Sequence, residues 1–262
     1  MDDMPEESVC PICRGSGWKI IERDGFEGAE RCECSRQIFA AESWQRANIP
    51  FNYLSDSLDN FVLPARQENP IHHEAMVGVL LAVRHYARNF PAVDKPGLLL
   101  VGDPGTGKTH LAVAALRILI ENGHEGYFWD YKFLLDCIRA SFDRSSDGWE
   151  PEAYQQALEC EVLLLDDLGS HRATDFVEDT VTSILTYRCN HRKALIATTN
   201  LLDPDMGAGM ALNQRASMSQ GPMEFKRTLS DMIGARARSR LFEMCKIVRM
   251  PKVPDYRIAH LR

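Results

Sequence analysis

The sequence predicts an α/β chain: a parallel sheet flanked by helices, preceded by a small cysteine-bearing module. Three observations predict it. Short apolar runs at 97–101, 126–130, 161–166 and 194–199 have the length and uniform hydrophobicity of strands buried on both faces of a parallel sheet. They alternate with segments of helical length at 108–121, 131–142 and 174–190, the rhythm of a βαβ series. Four of the eight cysteines, by contrast, fall in the first thirty-four residues, where apolar periodicity is weak.

The elements follow in order. Cys10 to Cys34 is rich in glycine and cysteine, and a polar helical stretch, Ser35 to Ala47, leads from it to Ile49 and Pro50. A domain boundary is expected between roughly 40 and 55, dividing a module and linker helix at 1–45 from a main domain at 46–262. Glu74 to Asn89 reads as an apolar helix, and Pro91 and Pro96 break the chain before the strand Gly97–Val101. After the last strand of the series, Met206 to Phe225 carries four methionines without a period and reads as an insertion. A helix from about Ser230 to Cys245 and a strand from Lys246 to Met250 close the pattern.

Composition narrows the class. A chain of 262 residues, 45% hydrophobic and 26% charged, fits one large domain plus a small accessory unit and excludes disorder, collagen and coiled coil. No run of eighteen apolar residues occurs and MDDMPEES is acidic, so neither a membrane span nor secretion is expected and a cytoplasmic location is. In that compartment the cysteine spacing points to a metal rather than to disulfides. The net charge of −7 is unevenly spread. From Gln214 to Arg262 eleven basic residues face four acids, a local +7, while eleven acids between Asp143 and Asp179 face two arginines. A basic end on an acidic body suggests a phosphate-bearing or acidic partner, with a solvated basic helix as the alternative.

Gly102-Asp103-Pro104-Gly105-Thr106-Gly107-Lys108-Thr109 matches G-x-x-x-x-G-K-[ST] between a predicted strand and a predicted helix. Glycines let successive backbone N–H groups converge on a β-phosphate, and the helix N-terminus adds its positive end. Lys108 would bridge β- and γ-phosphates and Thr109 would ligate Mg²⁺. Such a loop needs a carboxylate at the end of a neighbouring apolar strand, and Val162 to Leu165 ends in Asp166 and Asp167. Asp166 is expected to hold the Mg²⁺ through water and Asp167 to orient or deprotonate the attacking water. Because aspartate reaches about one methylene less than the glutamate common there, hydrolysis is expected to be slow. Asn200, after the strand Ala194–Thr199, is placed to bind the lytic water. Arg236, Arg238 and Arg240 crowd one helix, and their mutual repulsion suggests phosphate or DNA contact, with Arg240 as an arginine finger toward a neighbouring subunit.

Cys10-x2-Cys13 and Cys32-x-Cys34 supply four thiolates in two clusters, close to the pattern of a structural zinc ribbon. Gly15 and Gly17 supply the positive-φ turns that aim amides at sulfur. A redox pair or an iron–sulfur cluster are the other readings. With no open ligand position, the module is expected to dock a partner. Cys137, Cys160, Cys189 and Cys245 lie on apolar-periodic segments and read as core thiols.

With these motifs in hand, the chain resembles the AAA+ ATPases, and within them the helicase-loader and IstB group (DnaC/DnaI-like proteins). VGDPGTGKTHLA (101–112), LLLDDLGS (163–170), ATTN (197–200) and SRLFEMC (239–245) carry the resemblance, with Asp255-Tyr256-Arg257 near the end. Ser57 to Val62 is similar to the segment that lines the adenine pocket in this group, which makes Phe61 a nucleotide contact; His110, following the phosphate loop, is counted with the nucleotide-binding residues, in a packing rather than a catalytic role. The resemblance implies a minimal AAA+ core without a full lid domain, Mg-dependent ATP hydrolysis, and Arg240 acting between subunits. It further implies delivery of a replicative DNA helicase onto single-stranded DNA. The alternative within the group is an IstB-type transposition regulator acting on DNA. The expected cofactors are ATP, Mg²⁺ and Zn²⁺. Two departures stand out: the 206–225 insertion, and the absence of a lid to supply a second sensor arginine.

Overall fold

The computed structural model describes residues 10–23, 25–142, 152–203 and 227–259. The 206–225 insertion lies outside them. The cysteine segment folds as a hairpin, β1 (Trp18–Arg23) and β2 (Phe26–Arg31), and leads into α1 (Glu33–Arg46). After a 3₁₀ turn at Phe51–Tyr53, the main body runs α2 (Pro70–Asn89), β3 (Gly97–Val101), α3 (Lys108–Glu121), β4 (Gly126–Asp130) and α4 (Tyr131–Phe142). It continues with α5 (Glu152–Glu159), β5 (Val162–Asp166), α6 (Asp175–Asn190), β6 (Ala194–Thr199), α7 (Leu229–Ile233), α8 (Ala235–Met244), β7 (Cys245–Arg249) and α9 (Tyr256–Ala259).

β3 to β7 form one parallel sheet in the order β4-β5-β6-β3-β7, as the short apolar runs predict. Side chains alternate across it. Leu98, Leu100, Val162, Leu164 and Ile196 face a core with α2 and α3. Leu99, Val101, Leu163, Leu165 and Leu195 face a second core with α4 to α8. Both faces are therefore covered, which explains why these strands read as continuous apolar runs. From β3 the chain crosses to the far strand β4 and returns through β5 and β6, so the crevice at the C-terminal edge of β3 is a topological switch point.

Several details differ from the sequence expectation. α2 begins at Pro70 because Asn69 caps it, accepting the His72 N–H at 3.1 Å, with Pro70 in the first turn. α5 is an added helix: Ala153, Tyr154, Ala157 and Leu158 recur at helical spacing and pack on the core, but eight residues are a short run to read as a helix from sequence. The helix expected from Ser230 to Cys245 is two helices broken at Gly234, which has φ +81° and lies where a Cβ would collide with the Glu178 carboxylate. Arg188 is fully buried and donates to the carbonyls of Ala157, Leu158, Cys160, Glu161 and Ala194, binding α5 to the starts of β5 and β6. α1 packs on α3. Its Trp44 ring lies under the Arg117 guanidinium, 4.0 Å from the centroid, and Ala47 accepts the Phe128 N–H at 2.7 Å. No helix among the described residues is long and apolar enough to cross a membrane.

Candidate functional site

The glycine-rich loop, residues 102–107, joins β3 to α3 at the switch point. Gly107 takes φ +87° as the helix N-cap, and a Cβ there would meet the Phe61 ring at 2.6 Å. Only glycine allows both the turn and this close packing. Asp103 and Pro104 are exposed at the loop tip, while Gly102 and Thr106 are buried. Thr106 Oγ1 and Lys108 Nζ both donate to the Asp103 carbonyl at 2.8 Å, so the lysine is folded over the loop. Burial pushes the Lys108 ammonium below its ordinary value, against the pull of Asp167, Asp166 and Asp103.

β5 carries Asp166 to the same edge. Thr109 Oγ1 donates to both Asp166 oxygens, at 3.0 and 3.1 Å, which sets two hard oxygen ligands side by side as a Mg²⁺ site requires. Burial raises both Asp166 and Asp167 above the usual carboxylate range. Hydroxyl bonds from Thr198 and Thr109 oppose the shift at Asp166, and the Lys108 charge opposes it at Asp167. Asn200 Nδ2 donates to Asp167 Oδ1 at 2.7 Å, so the two side chains predicted to handle the lytic water touch each other.

His110 and Phe61 meet edge to face, with centroids 5.2 Å apart. His110 Nε2 is 2.8 Å from the Ser57 carbonyl, and its Nδ1 is 3.3 Å from the Asp56 carboxylate. Arg117 donates to the carbonyls of Asp56 and Leu54. The 54–61 segment is thus fastened to α3 beside the loop.

Sequence reasoning left two residues out. The first is Arg257. Tyr256 N donates to the Gly105 carbonyl at 3.0 Å, which brings α9 over the loop, and the Arg257 charge bears on both Lys108 and Asp167. The tripeptide Asp255-Tyr256-Arg257 was the signal, but only the fold-back of the chain shows where it lands. The second is Thr198, whose hydroxyl touches both acidic residues.

The three arginines of α8 separate. Arg238 forms a bidentate ion pair with the buried Asp203. Arg240 Nη1 donates to Glu243 Oε2 at 2.7 Å, and Arg236 is exposed. Arg240 also sits beside Cys189 at the end of α6, toward the N-terminal edge of the sheet, whereas the phosphate loop is at the C-terminal edge. The structure therefore does not bring Arg240 to the phosphate loop of its own chain.

In the hairpin module, the sulfurs of Cys10, Cys13, Cys32 and Cys34 all lie within 4.8 Å of one another. Cys10 to Cys32 is 3.8 Å and Cys13 to Cys34 is 3.4 Å, against about 3.8 Å for thiolates around a tetrahedral zinc. The backbone amides of Cys13 and Ile12 hold the Cys10 thiol down at about 6, while the Cys13 thiol pushes Cys34 up to about 12. Gly15 and Gly17 both take positive φ. These residues fit a structural zinc ion. The other four cysteines are free thiols, with Cys160 and Cys245 buried and Cys137 and Cys189 partly so.

Residues 89–206 match the family model of the IstB-like ATP binding protein. The chain is 31% identical to the uncharacterized protein YdaV of Escherichia coli over 209 residues, 75% of this chain and 76% of the relative. It is 25% identical to the replicative helicase loader DnaC of Buchnera aphidicola over 156 residues, 60% of each chain. The chain thus spans less than two thirds of that relative's length, and 66% of a further curated relative. Among solved structures, the crystal structure of the DnaC helicase loader matches with TM-score 0.59 and 29% identity, covering 77% of this chain and 100% of that one.

Proposed function

The chain belongs to the DnaC/IstB-like AAA+ ATPases, and from that premise we propose that it is an ATP-dependent replication protein that binds a replicative DNA helicase and loads it onto single-stranded DNA. The observation that carries the reading is the convergence of Lys108, Thr109, Asp166, Asp167 and Asn200 on one crevice, within a fold similar to the DnaC helicase loader.

The chemistry follows from these side chains. The loop amides of 102–107 and the N-terminus of α3 bind the phosphates, and Lys108 leaves the Asp103 carbonyl to neutralise β- and γ-oxygens. Thr109 and Asp166 would hold Mg²⁺, which spreads the negative charge developing on the transferred phosphoryl group. Asp167 accepts a proton from the attacking water, and Asn200 orients that water and the carboxylate together. Arg257 adds a cation from the same chain. Arg240 exchanges Glu243 for the phosphate of a neighbouring chain, which makes turnover depend on self-association. Phe61, beside Gly107, packs against the base.

The zinc-bearing hairpin docks the partner protein, and the exposed Arg236 contributes to the DNA contact. The protein acts in the cytoplasm. The match to the IstB-like family favours one second reading, a transposition regulator that assembles on duplex DNA. A pull-down with ATP and with ADP separates the two. Nucleotide-dependent capture of a replicative helicase supports the loader, and capture of a transposase overturns it.

A further inference from the structure

β6 ends in Thr198 and Thr199 and is followed by Asn200, and all three polar residues act on the turn that follows β5. Thr199 Oγ1 donates to the Leu168 carbonyl at 2.8 Å, and the Thr198 carbonyl accepts the Leu168 N–H at 2.8 Å. Asn200 holds the Asp167 carboxylate. Thr198 alone of the three holds both acidic residues. Its Oγ1 donates to Asp166 Oδ1 at 2.6 Å and accepts the Asp167 N–H at 2.9 Å, and the residue is 1% exposed.

The directions of these bonds are forced. An amide can only donate and an ionised carboxylate can only accept, so the single hydroxyl proton points at Asp166 and a lone pair faces Asp167. Asp167 itself has φ +57°, a left-handed conformation that a non-glycine residue keeps only where its surroundings hold it. The Thr198 hydroxyl is one of the bonds that hold it. A valine at this position would keep the shape and β-branching and make neither bond.

We propose that Thr198 is a positioning residue of the hydrolytic centre: one hydroxyl fixes Asp166 Oδ1, one of the two oxygens that face Thr109, and, through the Asp167 peptide, the direction of the Asp167 carboxylate. The proposal rests on the reading of this crevice as a site for ATP and Mg²⁺. It makes the end of the Asn200-bearing strand and the acidic pair one mechanical unit, so a shift of β6 moves both carboxylates together.

The test compares wild type, Thr198→Val, Thr198→Ser and Lys108→Ala in the full chain. Calorimetry measures ATP binding in EDTA and across a Mg²⁺ titration, and phosphate release gives kcat and KM. The expected result is that Thr198→Val binds ATP in EDTA as wild type does, needs about 10–100-fold more Mg²⁺ for tight binding, and loses about 10–100-fold in kcat with KM little changed. Thr198→Ser, which keeps the hydroxyl, restores both. Wild-type Mg²⁺ dependence and kcat in Thr198→Val would overturn the proposal. So would equal loss of Mg²⁺-free ATP binding in both Thr198 variants, which would mark a packing role. If wild type and Lys108→Ala behaved alike, the reading of the crevice would fail first and the proposal with it.

Discussion

Arg238 grips Asp203 with two bonds, Nε to Oδ2 and Nη2 to Oδ1, both 2.5 Å, and the Asp203 side chain is 1% exposed. The pair ties the chain just beyond Asn200 to the middle of α8. It also divides three arginines that look alike in sequence. One is committed inside the protein, one is paired at the surface with Glu243, and one faces solvent. Their mutual repulsion is therefore relieved largely by carboxylates of the same chain.

Removing the fork strips the buried Asp203 carboxylate of its two charge-assisted bonds from Arg238. Arg238→Met should lower stability by about 3–5 kcal/mol, whereas Arg236→Ala should stay within about 0.5 kcal/mol. Urea unfolding of the two variants measures both. Equal effects would show that the fork has no special weight.

Lys108 and Asp167 have separable tasks. Asp167→Asn keeps the bond from Asn200 but cannot take a proton, so kcat should fall about 10²–10⁴-fold with ATP binding retained. Lys108→Ala should lose binding as well. Phosphate release and nucleotide titration distinguish them, and an Asp167→Asn variant with wild-type turnover would remove Asp167 from the chemistry.

Burial raises the Asp56 carboxyl above the ordinary aspartate range, with His110 and Arg117 pulling the other way. The folded state then keeps this proton to higher pH than the unfolded state. Its contribution to stability is favourable at low pH and is lost as pH rises from about 3.9 through the raised value. Relative to Asp56→Asn, wild type should become less stable over that window and then level off. Urea midpoints of both proteins between pH 4 and 7 measure the difference, and a trend of the opposite sign would contradict the burial argument.

One zinc ion per chain is expected in the hairpin module. Cobalt substitution should give the absorption of tetrahedral thiolate ligation, and Cys10→Ser should weaken occupancy and unfold β1 and β2. Full zinc occupancy in Cys10→Ser would argue against the four-sulfur site.

Arg240 lies away from the phosphate loop of its own chain and is paired with Glu243, so the proposed arginine-finger role requires the phosphate of another subunit. Mixing Arg240→Ala with Lys108→Ala chains should restore part of the turnover that each lacks alone. No recovery at any mixing ratio would place the arginine's action elsewhere.

Local signals explain why much of the protein is legible in its sequence. Both faces of the sheet are covered, so each strand must be apolar throughout, and β3, β5 and β6 announce themselves as GLLLV, VLLLD and ALIATT. The phosphate loop is a contiguous motif because its work is done by backbone amides and one helix terminus. The paired cysteines are visible because tetrahedral sulfur ligation needs close spacing within each knuckle. α5 stayed hidden because eight residues, although their apolar positions recur at helical spacing, are too short a run to stand out, and the break at Gly234 because a glycine inside a helical pattern does not by itself show that the helix stops there.

What the sequence determined by itself, then, is the α/β class, the phosphate loop with its two aspartates, and the four candidate sulfur ligands. Each depends on residues near one another in the chain. The tertiary structure alone decided that Thr198 binds both acidic residues, that Tyr256 meets the phosphate loop at Gly105 and so brings the Arg257 charge near Lys108, that Arg238 belongs to Asp203, and that Arg188 is a buried bolt. Each of these pairs side chains brought together only when the strands take their order and the chain folds back over the loop, and no local pattern encodes that order.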